Sequence, residues 1–290
     1  MSSGRENRIQ HASGNEAWRG AWSEVSRCDA PPLLGLQGSS SGLAGAGRLD
    51  WRSNTGGQGG NKMDSSRKVA IAAGVLFIIA TVAGVSQFPF LRALNAPDYL
   101  SSVSAHGSQV MTAVLLDLIM IGAVFAIPVV MFPILKKHSE GLARGYVVAR
   151  IFEAAPLVVG VFSTIALLTL SQEFVAAGAP DTSTYQTLGA LLLATSDWTL
   201  LIGGQVILSL SALVLNYGLY RSRLVPRFIS GWGLIGVPLM FASGLVVMFG
   251  LAESSSTIAT ALVVPLAVQE MVFAVWLIVK GFNPPALASG

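Results

Sequence analysis

Tyr146-Val-Val-Ala-Arg150-Ile-Phe-Glu153-Ala-Ala-Pro156-Leu-Val-Val-Gly160-Val-Phe-Ser-Thr164 decides the reading of this chain. The run is apolar enough to cross a bilayer, yet Arg150 and Glu153 lie well inside it. Three residues apart, the two share a helical face. The same face collects Tyr146, Leu157, Gly160 and Thr164, at alternating spacings of three and four. Lipid cannot solvate a polar stripe, so a spanning helix of this kind is expected to turn it toward protein.

Composition extends that reading to the rest of the chain. Of 290 residues, 52% are hydrophobic and only 11% charged, and the mean hydropathy is +0.63. Soluble domains are about 25% charged, so the deficit excludes an ordinary soluble core and fits a multi-pass membrane protein. The single cysteine, Cys28, allows neither an intrachain disulfide nor a cysteine-based metal site. His11, His106 and His138 have no ligand spacing, so neither a metal nor a cofactor is expected. The pI near 9.2 does not indicate nucleic acid, because the basic residues sit in short loops beside apolar runs.

Residues 1–62 are a different material. They are rich in Gly and Ser with scattered Arg, as in Gly42-Leu-Ala-Gly-Ala-Gly47 and Gly56-Gly-Gln-Gly-Gly60, and are expected to be disordered. No Gly-Lys-Ser/Thr follows these clusters, which argues against a phosphate loop. No apolar segment near Met1 resembles a signal peptide. Met63-Asp-Ser-Ser-Arg-Lys68 reads as a natural start before a membrane helix, with Met63 the expected initiator. The membrane domain is expected over 63–283, with a short C-terminal tail over 284–290.

A crossing needs roughly 20 predominantly apolar residues. Six runs qualify: Val69–Phe88, Met111–Leu135, Tyr146–Leu170, Trp198–Tyr220, Ile229–Leu251 and Thr257–Val279. The fold class is therefore all-α and polytopic. Tyr185–Ser196 also has a helical pattern and reads as an interfacial lead-in to the fourth run. Ala96–His106 reads as a short surface helix started at Pro97-Asp98. Arg67, Lys68, Lys136, Lys137, Arg144, Arg221, Arg223, Arg227 and Lys280 fall on one side and only Arg92 on the other. The positive-inside rule then puts both termini in the cytoplasm. Tyr146, Tyr217, Tyr220, Trp232 and Trp276 are expected at the inner interface and Trp198 at the outer one.

Asp117, Arg150, Glu153 and Glu270 lie inside these runs. A lone charge at the bilayer centre costs about 2.5–3.5 kcal/mol, so these groups must pair, protonate or meet water. At about 1.5 Å rise per residue, Arg150 and Glu153 lie in the inner half of the third run, at about the depth of Asn216 on the fourth. Glu270, preceded by Gln269, lies near the middle of the sixth. Arg150, Glu153, Glu270, Asn216 and Gln269 thus form one candidate site, which requires the third, fourth and sixth runs to face one another. A stripe of Gln205, Ser209, Ala212, Asn216 and Tyr220 marks the inward face of the fourth. Asp117 lies farther out and is expected to meet Gln205, His106 or Asp197, so Asp117 and Gln205 make a second, outer candidate site. Pro128, Pro156, Pro238 and Pro265 interrupt the helices; ordinary kinks in packing are their simplest reading, and cavity-lining breaks the alternative.

Several stretches resemble a known bacterial membrane family. They are Leu116-Asp117-Leu-Ile119, Phe132-Pro133-Ile-Leu135 with Lys136-Lys-His138, Ala149-Arg150-Ile-Phe-Glu153, Leu219-Tyr220-Arg-Ser-Arg-Leu-Val-Pro-Arg227, Gly231-Trp-Gly-Leu-Ile-Gly236, Pro265-Leu-Ala-Val-Gln-Glu270 and Trp276-Leu-Ile-Val-Lys-Gly-Phe-Asn283. The family is domain of unknown function 4386, and the resemblance covers roughly residues 63–283. It implies a multi-pass protein of the bacterial cell membrane with no assigned activity, substrate, cofactor or site residue. Residues 1–62 depart from its pattern. Two functional readings stand on the residues themselves. One is binding or transport of a small polar solute or ion at the buried charges. The other is a membrane scaffold or regulator in which the charges are an interhelical lock and the basic loops meet partners or anionic lipid. No nucleophile with an adjacent base is visible, so an enzyme is the weakest reading.

Overall fold

The apolar runs become helices long enough to cross a bilayer. A computed structural model describes residues 57–178 and 182–288, with side chains described for 65–178 and 183–287. The helices are α1 (Gly57–Ser86), α2 (Tyr99–Ala105), α3 (Gly107–His138), α4 (Glu140–Ala176), α5 (Thr182–Leu201), α6 (Leu208–Ser222), α7 (Arg227–Met248), α8 (Thr257–Val279) and α9 (Pro284–Ala288). A 3-10 segment, Phe88–Asn95, follows α1, and a π-helical segment, Ile202–Ile207, joins α5 to α6. No strand occurs among the described residues. α1 begins inside the stretch read as an unstructured tail; residues 1–56, the rest of that stretch, lie outside the described residues.

Successive crossings pack on one another: α1 on α3, α3 on α4, α4 on α5 and α6, α6 on α7, and α7 on α8. α8 returns to pack on α1, closing an up-and-down ring of six crossings. Closure depends on a small residue, since a Cβ on Gly74 of α1 would stand 2.6 Å from the carbonyl oxygen of Ala274 on α8. Outward-facing residues are apolar: Val129, Phe162 and Ile235 are each about two-thirds exposed, as contact with acyl chains requires. The inward cluster gathers Phe77, Ile127, Met131, Tyr146, Leu219 and Phe273.

One expectation is corrected. Tyr185–Ser196 is no separate lead-in, because α5, the π segment and α6 form one continuous run over Ser183–Ser222. Forty residues of helix span about 60 Å, twice the hydrocarbon thickness. The excess is stabilised by protein. α4 is itself 37 residues long and lies alongside, with Phe174 edge-on to Tyr185 at 5.4 Å and the Ser163 hydroxyl donating to the Leu192 carbonyl at 2.8 Å. α2, the expected short helix, braces the same hairpin: Tyr99 donates to the Gln186 carbonyl at 3.0 Å.

Nearly all the loop cations collect at one end of the ring, where backbone contacts lock the helix termini. The Arg67 guanidinium donates to the carbonyls of Ile278 (2.7 Å) and Val279 (3.2 Å), satisfying the open end of α8. Asn283 then clips the chain to the α6–α7 turn, its N–H donating to Leu224 O at 2.8 Å and its amide to Arg223 O at 2.7 Å. Leu224 and Val225 are fully buried beneath that clip.

Candidate polar site inside the bundle

Local helix geometry builds the centre of the site. Arg150 and Glu153, 3% and 2% exposed, form an ion pair of 2.8 Å between Nη1 and Oε1 on α4. Arg150 Nε donates to the Tyr146 hydroxyl, one turn earlier, at 3.0 Å. Tyr146 is therefore no member of the inner aromatic belt; it is completely buried and holds the guanidinium in place. Phe77 of α1 covers another side, with the guanidinium carbon 5.7 Å from its ring centroid and 5.4 Å from that of Tyr146. Phe273 of α8 backs Phe77 at 5.4 Å. The second oxygen of Glu153 accepts from the Ser211 hydroxyl of α6. Arg150 Nη2 is buried and makes no hydrogen bond.

Glu270 does not close this arrangement as a partner. It is near enough for its charge and that of Arg150 to act on each other, but no ion pair or hydrogen bond to Glu270 occurs among the described residues. Glu270 is itself neither fully buried nor exposed. One guanidinium thus stands near two carboxylates, only one of which it binds.

Asn216 and Gln269 form a separate group between α6, α7 and α8. Gln269 Nε2 donates to Asn216 Oδ1 and to the Ile229 carbonyl, each at 3.2 Å, and Asn216 Nδ2 donates to the Ala212 carbonyl at 2.9 Å. Gly233 of α7 makes room for it, since a Cβ there would fall 2.2 Å from Asn216 Oδ1. The five residues read as one site therefore divide into an ion pair with its neighbours and a hydrogen-bonded amide pair, with Glu270 beside the first.

The outer pair is not brought together. Asp117 lines a cavity with Gln87, Thr164, Ser196 and Thr199, and Gln87 lies against its carboxylate. Gln205 packs toward Gly244 of α7, its Cβ 3.6 Å from where a Gly244 Cβ would be. The facing helices explain the difference: Gln205 and Asn216 both lie against α7, beside Gly244 and Gly233, whereas Asp117 on α3 faces α4 and α5. Neither His106 nor Asp197 lines the Asp117 cavity; Asp197 is exposed, and His106 bonds its own Ser102 carbonyl at 2.9 Å.

Ser211 and Phe77 are the site residues that sequence reasoning missed. Ser211 falls between Ser209 and Ala212 of the expected stripe, one position off its spacing, and is buried with them on the side that meets Glu153 of α4. Phe77 carried no signal, being one aromatic residue in an apolar helix.

Six helices long and apolar enough to cross a bilayer, with charged side chains paired among them, define an integral membrane protein of the all-α class. Within that class the chain belongs to the family of domain of unknown function DUF4386, whose model matches residues 72–281. No curated protein and no solved structure matches it.

Proposed function

We propose that this chain binds, and carries across the membrane, a small polar solute or ion at the buried site around Arg150, Glu153 and Glu270, with Glu270 as the exchangeable carboxylate. The observation that supports this reading is the charge count. Arg150 neutralises Glu153, which it bonds, and a second carboxylate remains beside them without a partner. Hydrocarbon does not stabilise that excess charge, so Glu270 takes up a proton or a cationic ligand group. The unpartnered Arg150 Nη2 offers a donor for a polar atom of the same ligand. Pro156, one turn after Glu153 in α4, and the π segment that rests on it through Gly203 suit a helix pair that changes packing during exchange. The lysine and arginine bias supports a bacterial inner-membrane orientation with both termini cytoplasmic.

Glu270→Gln tests the reading, because Glu270 contributes no hydrogen bond or ion pair to the fold. The variant is expected to accumulate and unfold within about 1 kcal/mol of the parent. Proton flux, followed by an internal pH dye in proteoliposomes under an imposed potential, is expected to fall at least about tenfold, a barrier change of about 1.4 kcal/mol. Equal flux in parent and variant overturns the proposal. A second reading, the interhelical lock, is favoured by the Arg150–Glu153 pair and its bonds to Tyr146 and to Ser211 of α6; it holds if the parent carries no flux and only Arg150 or Glu153 substitutions alter stability.

A further inference from the structure

The cavity beside Asp117 is a second site, independent of the Arg150 pair. It has a volume of about 40 Å³ and lies between α1, α3, α4 and α5, with Leu91 of the 3-10 segment at its edge. A void that admits about one probe sphere, 10–15 Å³, already holds a water, so this one has room for a small ion or a few waters. Its chemistry is one-sided. Thr164 Oγ1 donates its only proton to the Gly160 carbonyl at 3.1 Å, and Thr199 Oγ1 donates its own to the Ser196 carbonyl at 2.9 Å. Both hydroxyl oxygens therefore have only lone pairs left to offer. The Ser196 hydroxyl, 3.4 Å from Thr164 Oγ1, has its proton directed there. Gln87, 3% exposed, lines the cavity beside the Asp117 carboxylate.

None of the lining residues is Lys, Arg or His. The cavity thus combines one carboxylate with an excess of oxygen acceptors and no resident cation. An anion would meet the Asp117 carboxylate and no cation. A hard cation prefers oxygen ligands of this kind, and a single carboxylate matches a single positive charge. Gly160 fixes the geometry: a Cβ there would lie 2.6 Å from Thr199 Oγ1, so only glycine lets that hydroxyl approach α4.

We infer that this cavity is a binding site for one monovalent alkali cation of sodium size, held by Asp117 with Thr199, Thr164, Ser196 and Gln87 as neutral oxygen ligands. The site needs no flux through the bundle and stands whether or not the Arg150 site carries a solute. Full-length protein in detergent is titrated with NaCl against choline chloride at constant ionic strength, and radioactive sodium binding and the thermal midpoint are recorded. Saturable sodium binding with a rising midpoint is expected, with choline inert. Asp117→Asn is expected to abolish it. Thr199→Val, which keeps the charge and removes one oxygen, is expected to weaken it about 10- to 100-fold, as loss of a supporting group does at metal sites. The inference is overturned if the folded parent binds no sodium, if a change of pH alone reproduces the stabilisation without bound sodium, or if binding persists in either variant at parental affinity.

Discussion

Arg150→Leu is expected to destabilise the protein by about 3–5 kcal/mol, the cost of breaking a buried ion pair by removing one partner. The residue holds three side chains at once. It neutralises Glu153 on its own helix, fixes the Tyr146 hydroxyl, and faces the Phe77 ring of α1. Without it, the Glu153 carboxylate retains only the Ser211 hydroxyl and is left charged in a site 2% exposed. The double substitution Arg150→Leu/Glu153→Leu is expected to recover most of that loss, because well-packed apolar residues replace buried ion pairs at little net cost. Unfolding in mixed micelles with increasing SDS measures both variants. A loss below about 1 kcal/mol in the single variant would show that the guanidinium is not the buried partner described. The double variant also tests the transport reading: parental stability with the parent's flux lost makes the pair part of a transport site, and parental stability with parental flux removes the pair from it.

That pair was legible because its geometry is local. Residues three apart on one helix meet whatever the tertiary structure does, so Arg150 and Glu153 could be joined from spacing alone. The six crossings were equally legible, since bilayer thickness sets their length. Partners across helices depend on rotation about each axis, which spacing does not contain. Gln205 shows the cost: its stripe turns toward Gly233 and Gly244 of α7 and not toward the helix that carries Asp117. Glu270 shows another limit. Depth put it near the middle of its helix, within reach of the inner-half pair, and the structure keeps it near, but no rule of depth distinguishes a bonded neighbour from an unbonded one. Tyr146 was assigned to the interface because its type is common there, and its burial follows from the guanidinium one turn away.

Gly203→Val is the second large effect expected, and it acts through the wide turn of the π segment. A Cβ at Gly203 would lie 2.9 Å from Pro156 Cγ, 3.0 Å from the Glu153 carbonyl oxygen and 3.0 Å from Leu157 Cγ. The proline ring and the backbone cannot yield, so the π segment must move away from α4. Overpacking of this kind costs about 1–3 kcal/mol, and the branched side chain puts valine at the upper end or beyond. The displacement reaches function as well as stability, because Ser211 lies two turns farther along and its bond to Glu153 requires α6 to stay close to α4. Gly204 provides the control. A Cβ there meets only Leu200 Cδ1, at 3.4 Å, and alanine is the better helix former by about 1 kcal/mol, so Gly204→Ala is expected to unfold at or above the parental SDS concentration. Equal behaviour of Gly203→Val and Gly204→Ala would mean that the π segment does not rest on the Pro156 turn. A difference confined to position 203 would tie the Pro156 turn of α4 and the wide turn in the long helix into one joint, through which any rearrangement at Glu153 must pass.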